Sequence, residues 1–228
     1  MAGEIGGPRA GRQRRRWRAQ GVVVPRLWLV TDAARLPDPR EAARRLPKGS
    51  AVLARDLAPE VLAATARLCR ARGLRLVVSG DGRAALALRA GLHVPDRRPC
   101  AGLLPYLLAR RRRARWALLS AAVHGRVGVT RAARVGADAA LVSPAFPTAS
   151  HPGAAALGSL RWSALARLAA RRGPVVIALG GVTARLARRL PGRTTAGWAA
   201  LEGLWPPRHS VSPMSRASES SACRPARR

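Results

Sequence analysis

The stretch Ala139–Gly153, AALVSPAFPTASHPG, decides how this chain folds. Its first four residues, Ala139 to Val142, are an apolar run of strand length. The remainder, Ser143 to Gly153, is rich in Pro, Thr, Ser and His and closes on a Pro-Gly pair. A buried strand running into such a loop has the form of an end-of-strand binding loop, the place where α/β proteins collect ligands. Further along, Val175 to Leu179 is a second apolar run. It ends in Gly180-Gly181-Val182-Thr183 and opens a helical pattern, so that free backbone N–H groups stand where an anion could dock. Two loops of this kind, each following a buried parallel strand, predict a phosphate-handling site.

Outward from this pair the same alternation recurs. Leu27–Thr31, Ala51–Arg55, Leu74–Ser79, Leu92–Val94, Trp116–Ala122 and Ala196–Leu201 read as six further strands, making eight with the two above. Between them, helices are expected over Pro39–Leu46, Pro59–Arg72, a short segment ending at Arg89, Gly125–Val135, Ser159–Arg172 and Thr183–Leu190. Asp96 to Arg115 is irregular at first and then carries four consecutive arginines, Arg110 to Arg113, which read as a solvated helix end. Eight short strands alternating with helices, with no dinucleotide fingerprint after the first, fit an α/β fold of the compact (β/α)8 TIM-barrel kind better than an open sheet. The expected organisation is a disordered basic arm over 1–24, a barrel over 25–205 and a disordered tail over 206–228.

Charge bounds the partners. The chain of 228 residues carries 42 Lys plus Arg against 11 Asp plus Glu, a net +31, and Lys48 is its one lysine. Residues 1–24 hold six Arg and one Glu, and residues 206–228 hold five Arg and one Glu, which leaves 31 basic and 9 acidic groups, +22, in between. Spread over every helix and accompanied by few aromatics, this excess reads as compositional bias rather than a nucleic-acid interface, although it attracts phosphate substrates. Cys69, Cys100 and Cys223 lack any metal or redox spacing and read as reduced thiols. No signal core precedes Val22 and no run reaches the length of a membrane span, so a cytoplasmic protein without a membrane partner is expected.

Candidate chemistry collects at the strand ends: Asp32, Arg55, Asp81, His93 with Asp96, His124, the loop of Thr148, Ser150 and His151, and Gly180-Gly181. Carboxylate, cationic and hydroxyl groups beside two glycine-containing loops suit a magnesium diphosphate. A serine hydrolase would need a G-x-S-x-G elbow, which is absent. Asp81 also suits the N-cap of the following helix.

LWLVTD at the first strand, SGDGRAALALRAGLHV across the third and fourth, GADAALVSPAFPTASHPGAAALG around the sixth and VVIALGGVT at the seventh together resemble the thiamine phosphate synthase family, in order and in register from Leu27 to Leu204. The resemblance implies a TIM-barrel transferase using Mg2+. Such an enzyme joins 4-amino-5-hydroxymethyl-2-methylpyrimidine diphosphate to thiazole phosphate and releases diphosphate in thiamine biosynthesis. It also implies roles for residues. Arg55 and His151 would act in catalysis. Thr148, Ser150 and Gly153 belong to the diphosphate loop, and Gly181 and Val182 hold the thiazole phosphate through backbone amides. Asp81 would be a metal ligand.

The departures are specific. Of the family's Gln-x-Arg-x-Lys after the second strand only Arg55 carries over, and the lysine of the diphosphate loop is His151. The second metal carboxylate aligns with Arg98, leaving Asp96 two residues away as its substitute. Ala122 and Glu202 stand where the family has serines. The alternative is therefore a related barrel that binds or isomerises thiazole phosphate without coupling. Nothing in the sequence sets the oligomeric state.

Overall fold

In a computed structural model of the chain the structure describes residues 18–19, 22–112, 114, 116–147, 156–201 and 204. Eight parallel strands close into a barrel: β1 (Leu27–Val30), β2 (Ala51–Ala54), β3 (Arg75–Ser79), β4 (Gly91–Val94), β5 (Leu119–Val123), β6 (Ala139–Val142), β7 (Val175–Leu179) and β8 (Thr195–Ala200). Each strand pairs with its sequence neighbour, and β8 returns to β1 with Trp198 opposite Leu27, so the sheet has no free edge. Helices α1 (Arg40–Arg44), α2 (Pro59–Arg72), α3 (Gly82–Ala87), α4 (Leu103–Arg111), α5 (Arg126–Arg134), α6 (Gly158–Arg171) and α7 (Ala184–Ala187) occupy the connections. The fold is thus the (β/α)8 barrel that the strand pattern predicts.

The strands are apolar on both faces because both faces are covered. Trp28, Val30, Leu53, Val77, Leu141 and Ile177 belong to one buried cluster, while their sequence neighbours Leu29, Val52, Val78, Val142 and Val176 belong to another that also contains helix residues such as Ala66, Ala132 and Trp162. This period of two separates the barrel interior from the layer between sheet and helices.

Four expectations change. Packing onto the barrel begins before residue 25: residues 18–19 pair with 22–23 in a separate two-stranded ladder, and Val22 and Val24 are buried in the interior cluster with Trp28. These valines, together with the Trp28 Nε1–H that donates to the Pro25 carbonyl at 2.7 Å, close one end of the barrel. The fifth strand starts at Leu119 rather than Trp116. A helix that periodicity does not reveal, α4, fills the segment expected to be irregular; Pro105 falls in its first turn, where the missing N–H costs nothing. Arg110, in the run read as solvated, turns inward to the Gly136 carbonyl and to the fully buried Asp138. Of the disordered arm expected over 1–24, residues 1–17 and 20–21 lie outside the described residues, as does the whole tail expected over 206–228.

Candidate active site

The carboxyl ends of the strands form the mouth of the barrel, and the two loops that open the sequence reading meet there. Ala145 N donates to Leu179 O at 2.9 Å and Phe146 N to Gly180 O at 3.0 Å, which stitches the β6 loop to the β7 loop. The contact leaves no room for a side chain. Gly180 and Gly181 have φ +89 and +61, and a Cβ on Gly181 would collide with the Pro147 carbonyl oxygen. Beyond this corner the amides of Gly181 and Val182 donate to no acceptor among the described residues. Thr183 Oγ1 accepts from Leu186 N at 3.2 Å and caps α7. Thr148, Ser150, His151 and Gly153, as well as Glu202, lie outside the described residues.

Arg55 is set by a hook from β1. The buried hydroxyl of Thr31 accepts from Arg55 N at 2.7 Å and donates to Arg55 O at 2.9 Å, fixing the backbone while the side chain stays exposed. Its guanidinium lies within electrostatic reach of both Asp32 and His93. Asp32 is occupied locally, accepting from Ala34 N and Arg35 N. The Arg35 N–H holds its carboxyl below the ordinary value.

His93 is buried at the end of β4, with Nδ1 2.9 Å from Ser120 Oγ on β5. Burial, reinforced by the charges of Arg55, Arg131 and His124, pushes its pKa down to about 3, so the ring is neutral. Ser120, absent from the sequence reading, is therefore part of the barrel's polar interior. Its signal is period two: it occupies the inward position of β5 next to His93 in register.

The expected magnesium ligands behave differently from one another. Asp81 Oδ1 accepts from Arg83 N and Ala84 N, both at 2.9 Å, and so caps α3; Oδ2 has no hydrogen bond among the described residues. Asp96 is engaged at both oxygens, by Arg131 on Oδ1 and by His124 Nδ1 at 2.8 Å on Oδ2. The Arg131 hydrogen bond, with help from His124, holds its carboxyl below the ordinary carboxylate value against the opposing effect of burial. Arg131 is itself anchored on the Ala122 carbonyl at 2.8 Å. Asp96, expected as a metal ligand, thus has one donor on each oxygen, one of them a guanidinium. No group of three or more His, Cys, Asp or Glu side chains among the described residues could share an ion. Asp81 keeps Oδ2 to meet an ion, and Mg2+ is commonly held by one or two carboxylates together with substrate phosphate oxygens.

Arg98 also engages a carboxylate. Its Nη1 lies 3.2 Å from Oδ1 and 3.3 Å from Oδ2 of Asp56. This pair, like the Asp96–His124–Arg131 group, joins loops far apart in sequence, and no local motif announces it. Of the cysteines, Cys69 is buried and its thiol is pushed up to about 12 by burial, as suits an inert structural thiol; Cys223 lies outside the described residues. No helix among the described residues is long and apolar enough to cross a membrane.

Comparison with known proteins agrees with this architecture. Thiamine phosphate pyrophosphorylase from Pyrococcus furiosus superimposes with a TM-score of 0.58 at 22% identity, covering 77% of this chain and 84% of that one. The 2-keto-3-deoxy-6-phosphogluconate aldolase of Zymomonas mobilis ZM4 gives 0.52 at 16% identity, covering 78% and 81%. An HpcH/HpaI aldolase from Desulfitobacterium hafniense gives 0.51 at 13% identity, covering 77% and 85%. At these identities the likeness is one of fold. A search of curated proteins finds no match. The model of the thiamine monophosphate synthase family, in contrast, matches residues 52–204, two thirds of the sequence and every strand from β2 to β8. The chain belongs to the thiamine monophosphate synthase family.

Proposed function

We propose that this protein couples 4-amino-5-hydroxymethyl-2-methylpyrimidine diphosphate to thiazole phosphate. The observation that carries the reading is the glycine corner joining the β6 and β7 loops at the barrel mouth, where the Gly181 and Val182 amides have no acceptor among the described residues. Two adjacent amides at a positive-φ turn suit the dianionic phosphate of the thiazole. On the other side of the mouth Arg55, held by Thr31, offers a guanidinium to the diphosphate. Thr148, Ser150, His151 and Gly153 complete the diphosphate loop on the strength of the family motif. In the reaction the bond from the pyrimidine methylene carbon to the diphosphate oxygen breaks, the oxygen keeping the electron pair. The thiazole nitrogen then supplies the pair for the new C–N bond. Fixed cationic and N–H donors lower the barrier by holding charge that grows on the leaving group.

The test is to incubate the purified protein with both phosphorylated halves and Mg2+ and to measure thiamine phosphate. Product is expected, and none under conditions where a competent synthase works would overturn the reading. One observation favours a second reading: Asp96 fixes His124 through Nδ1 and leaves Nε2 directed elsewhere, an arrangement suited to moving a proton on bound thiazole phosphate. Calorimetry that detects thiazole phosphate but not the pyrimidine diphosphate would favour such an isomerising barrel.

A further inference from the structure

An ion pair between Arg98 and Asp56 joins two loops at the carboxyl ends of the strands. Asp56 follows β2 and Arg98 follows β4. Because β2, β3 and β4 are consecutive in the barrel, the pair passes across the end of β3. The loop that carries Arg98 is fixed in this place. Ala101 N donates to Gly80 O at 2.9 Å and Gly82 N to Ala101 O at 2.6 Å, pinning it to the β3 loop, while Gly80 N donates to His93 O at 2.9 Å. Three non-glycine residues adopt positive φ among the described residues, and two of them flank this pair: Asp56 itself (φ +51) and Arg97 (φ +59). Backbone held in a sparsely populated region is concentrated at ligand clamps.

The pair is poorly shielded. Its side chains are 67% and 55% exposed, so little is lost when one partner is exchanged. A diphosphate carries more charge than a carboxylate and matches the planar guanidinium with two oxygens. Arg55, the residue next to Asp56, supplies a second guanidinium facing the mouth. The nearby carboxylates are partly engaged: Asp96 has a donor on each oxygen, and Asp81 has one oxygen without a hydrogen bond among the described residues.

We infer that Arg98 is a diphosphate-binding residue. It is released from Asp56 when the ligand arrives and acts with Arg55, so that guanidinium charge supplies what a second carboxylate-held metal would otherwise supply. The inference rests on the coupling reading for the presence of a diphosphate. Asp56 is then a placeholder that keeps Arg98 aimed across the β3 end in the empty site.

Calorimetry of the full chain with inorganic diphosphate, in excess chelator and again with Mg2+, tests this. In chelator the parent is expected to bind, and Arg98→Ala to bind about tenfold or more weakly, the loss typical of a charge-assisted pair. Asp56→Asn should bind as tightly as the parent or more tightly, since it removes the competitor, whereas a merely structural pair would lose affinity with either change. Arg167→Ala, on the exposed face of α6, removes one charge far from the mouth and should leave binding unchanged. Parent binding only with Mg2+, or Arg98→Ala equal to the parent, overturns the inference, as does an equal loss in Arg98→Ala and Arg167→Ala. The two readings fail separately. Thiamine phosphate formed by a protein that binds diphosphate only with Mg2+ removes the clamp and keeps the coupling. Metal-free binding through Arg98 without product does the reverse.

Discussion

His93 links the chemistry of single residues to the stability of the barrel. Its pKa is lowered by burial to about 3, while in the unfolded chain it returns to about 6.5. The unfolded state therefore binds the extra proton first as pH falls. The stability this ring contributes is complete above about pH 6.5 and is lost progressively between there and pH 3, by up to about 1.4 kcal/mol per pH unit. Asp138 works in the opposite direction. Burial raises its pKa from 3.8 to about 6, against the opposing Leu119 N–H and Arg110, so its contribution is complete below about pH 3.8 and is lost as pH rises through 6. The two effects oppose one another in the same window, and a variant comparison separates them. Urea midpoints measured from pH 7 to pH 4 should fall less steeply in His93→Gln than in the parent; parallel curves would show that His93 does not titrate on unfolding. The sequence identifies His93 as a strand-end residue. Its neutrality, however, depends first on burial and then on the charges of Arg55, Arg131 and His124, which only the closed barrel brings about.

Elements owe their positions to a few contacts that a reading of local pattern handles unevenly. The boundaries of α2 are legible because Pro59 opens it and Gly73 ends it at φ +64. Nothing comparable marks α4. Its single fully buried side chain, Tyr106, donates its hydroxyl to the Ala90 and Leu118 carbonyls, and its last turn places Arg110 against Asp138, contacts that exist only once β4, β5 and β6 are in place. Asp138 accepts from Leu119 N at 2.8 Å as well, so it connects the starts of β5 and β6 to α4. Asp138→Ala removes the carboxylate facing the Arg110 guanidinium, which keeps the Gly136 carbonyl, and leaves the buried Leu119 N–H without its acceptor, and should lower the unfolding free energy by about 3–5 kcal/mol in a denaturant titration. A loss below about 1 kcal/mol would mean that water replaces the carboxylate. At the other end of the barrel Gly181→Ala forces a Cβ into the Pro147 carbonyl at a positive φ, with an expected cost of about 1–3 kcal/mol. Because the strain falls on the corner proposed to hold the thiazole phosphate, KM for that substrate should rise while the pyrimidine KM stays near that of the parent. Both rising together would place the phosphate elsewhere. Here the sequence was informative about conformation: a Gly-Gly pair after a buried strand marks a turn at positive φ with no room for side chains.

Across the whole molecule the dominant property is charge. A net of +31 destabilises a compact chain by self-repulsion, and the described ion pairs relieve only part of it. The acidic groups are placed to local effect. Asp96, Asp56 and Asp138 each face a guanidinium, and Asp32 and Asp81 accept backbone N–H groups at strand ends. The remaining arginines set up a positive field around a mouth that, in the proposed reaction, receives two phosphorylated substrates. Such a field accelerates encounter more than it alters the bound complex, and salt screens it with a Debye length of about 10 Å at 0.1 M and 3 Å at 1 M. In the coupling assay kcat/KM for both substrates should therefore fall severalfold between about 0.05 M and 0.5 M salt while kcat changes little. Removing residues 1–17 and 206–228 takes away ten Arg and two Glu and reduces the net charge from +31 to +23. The truncated chain keeps Val22 and Val24, which close the end of the barrel, and should show a shallower salt slope of the same sign. A slope that vanishes on truncation would locate the steering field in the termini, and an unchanged slope would locate it in the barrel. A fall in kcat itself would mean that salt competes at bound guanidiniums such as Arg55, so that screening reaches the reaction step rather than the approach.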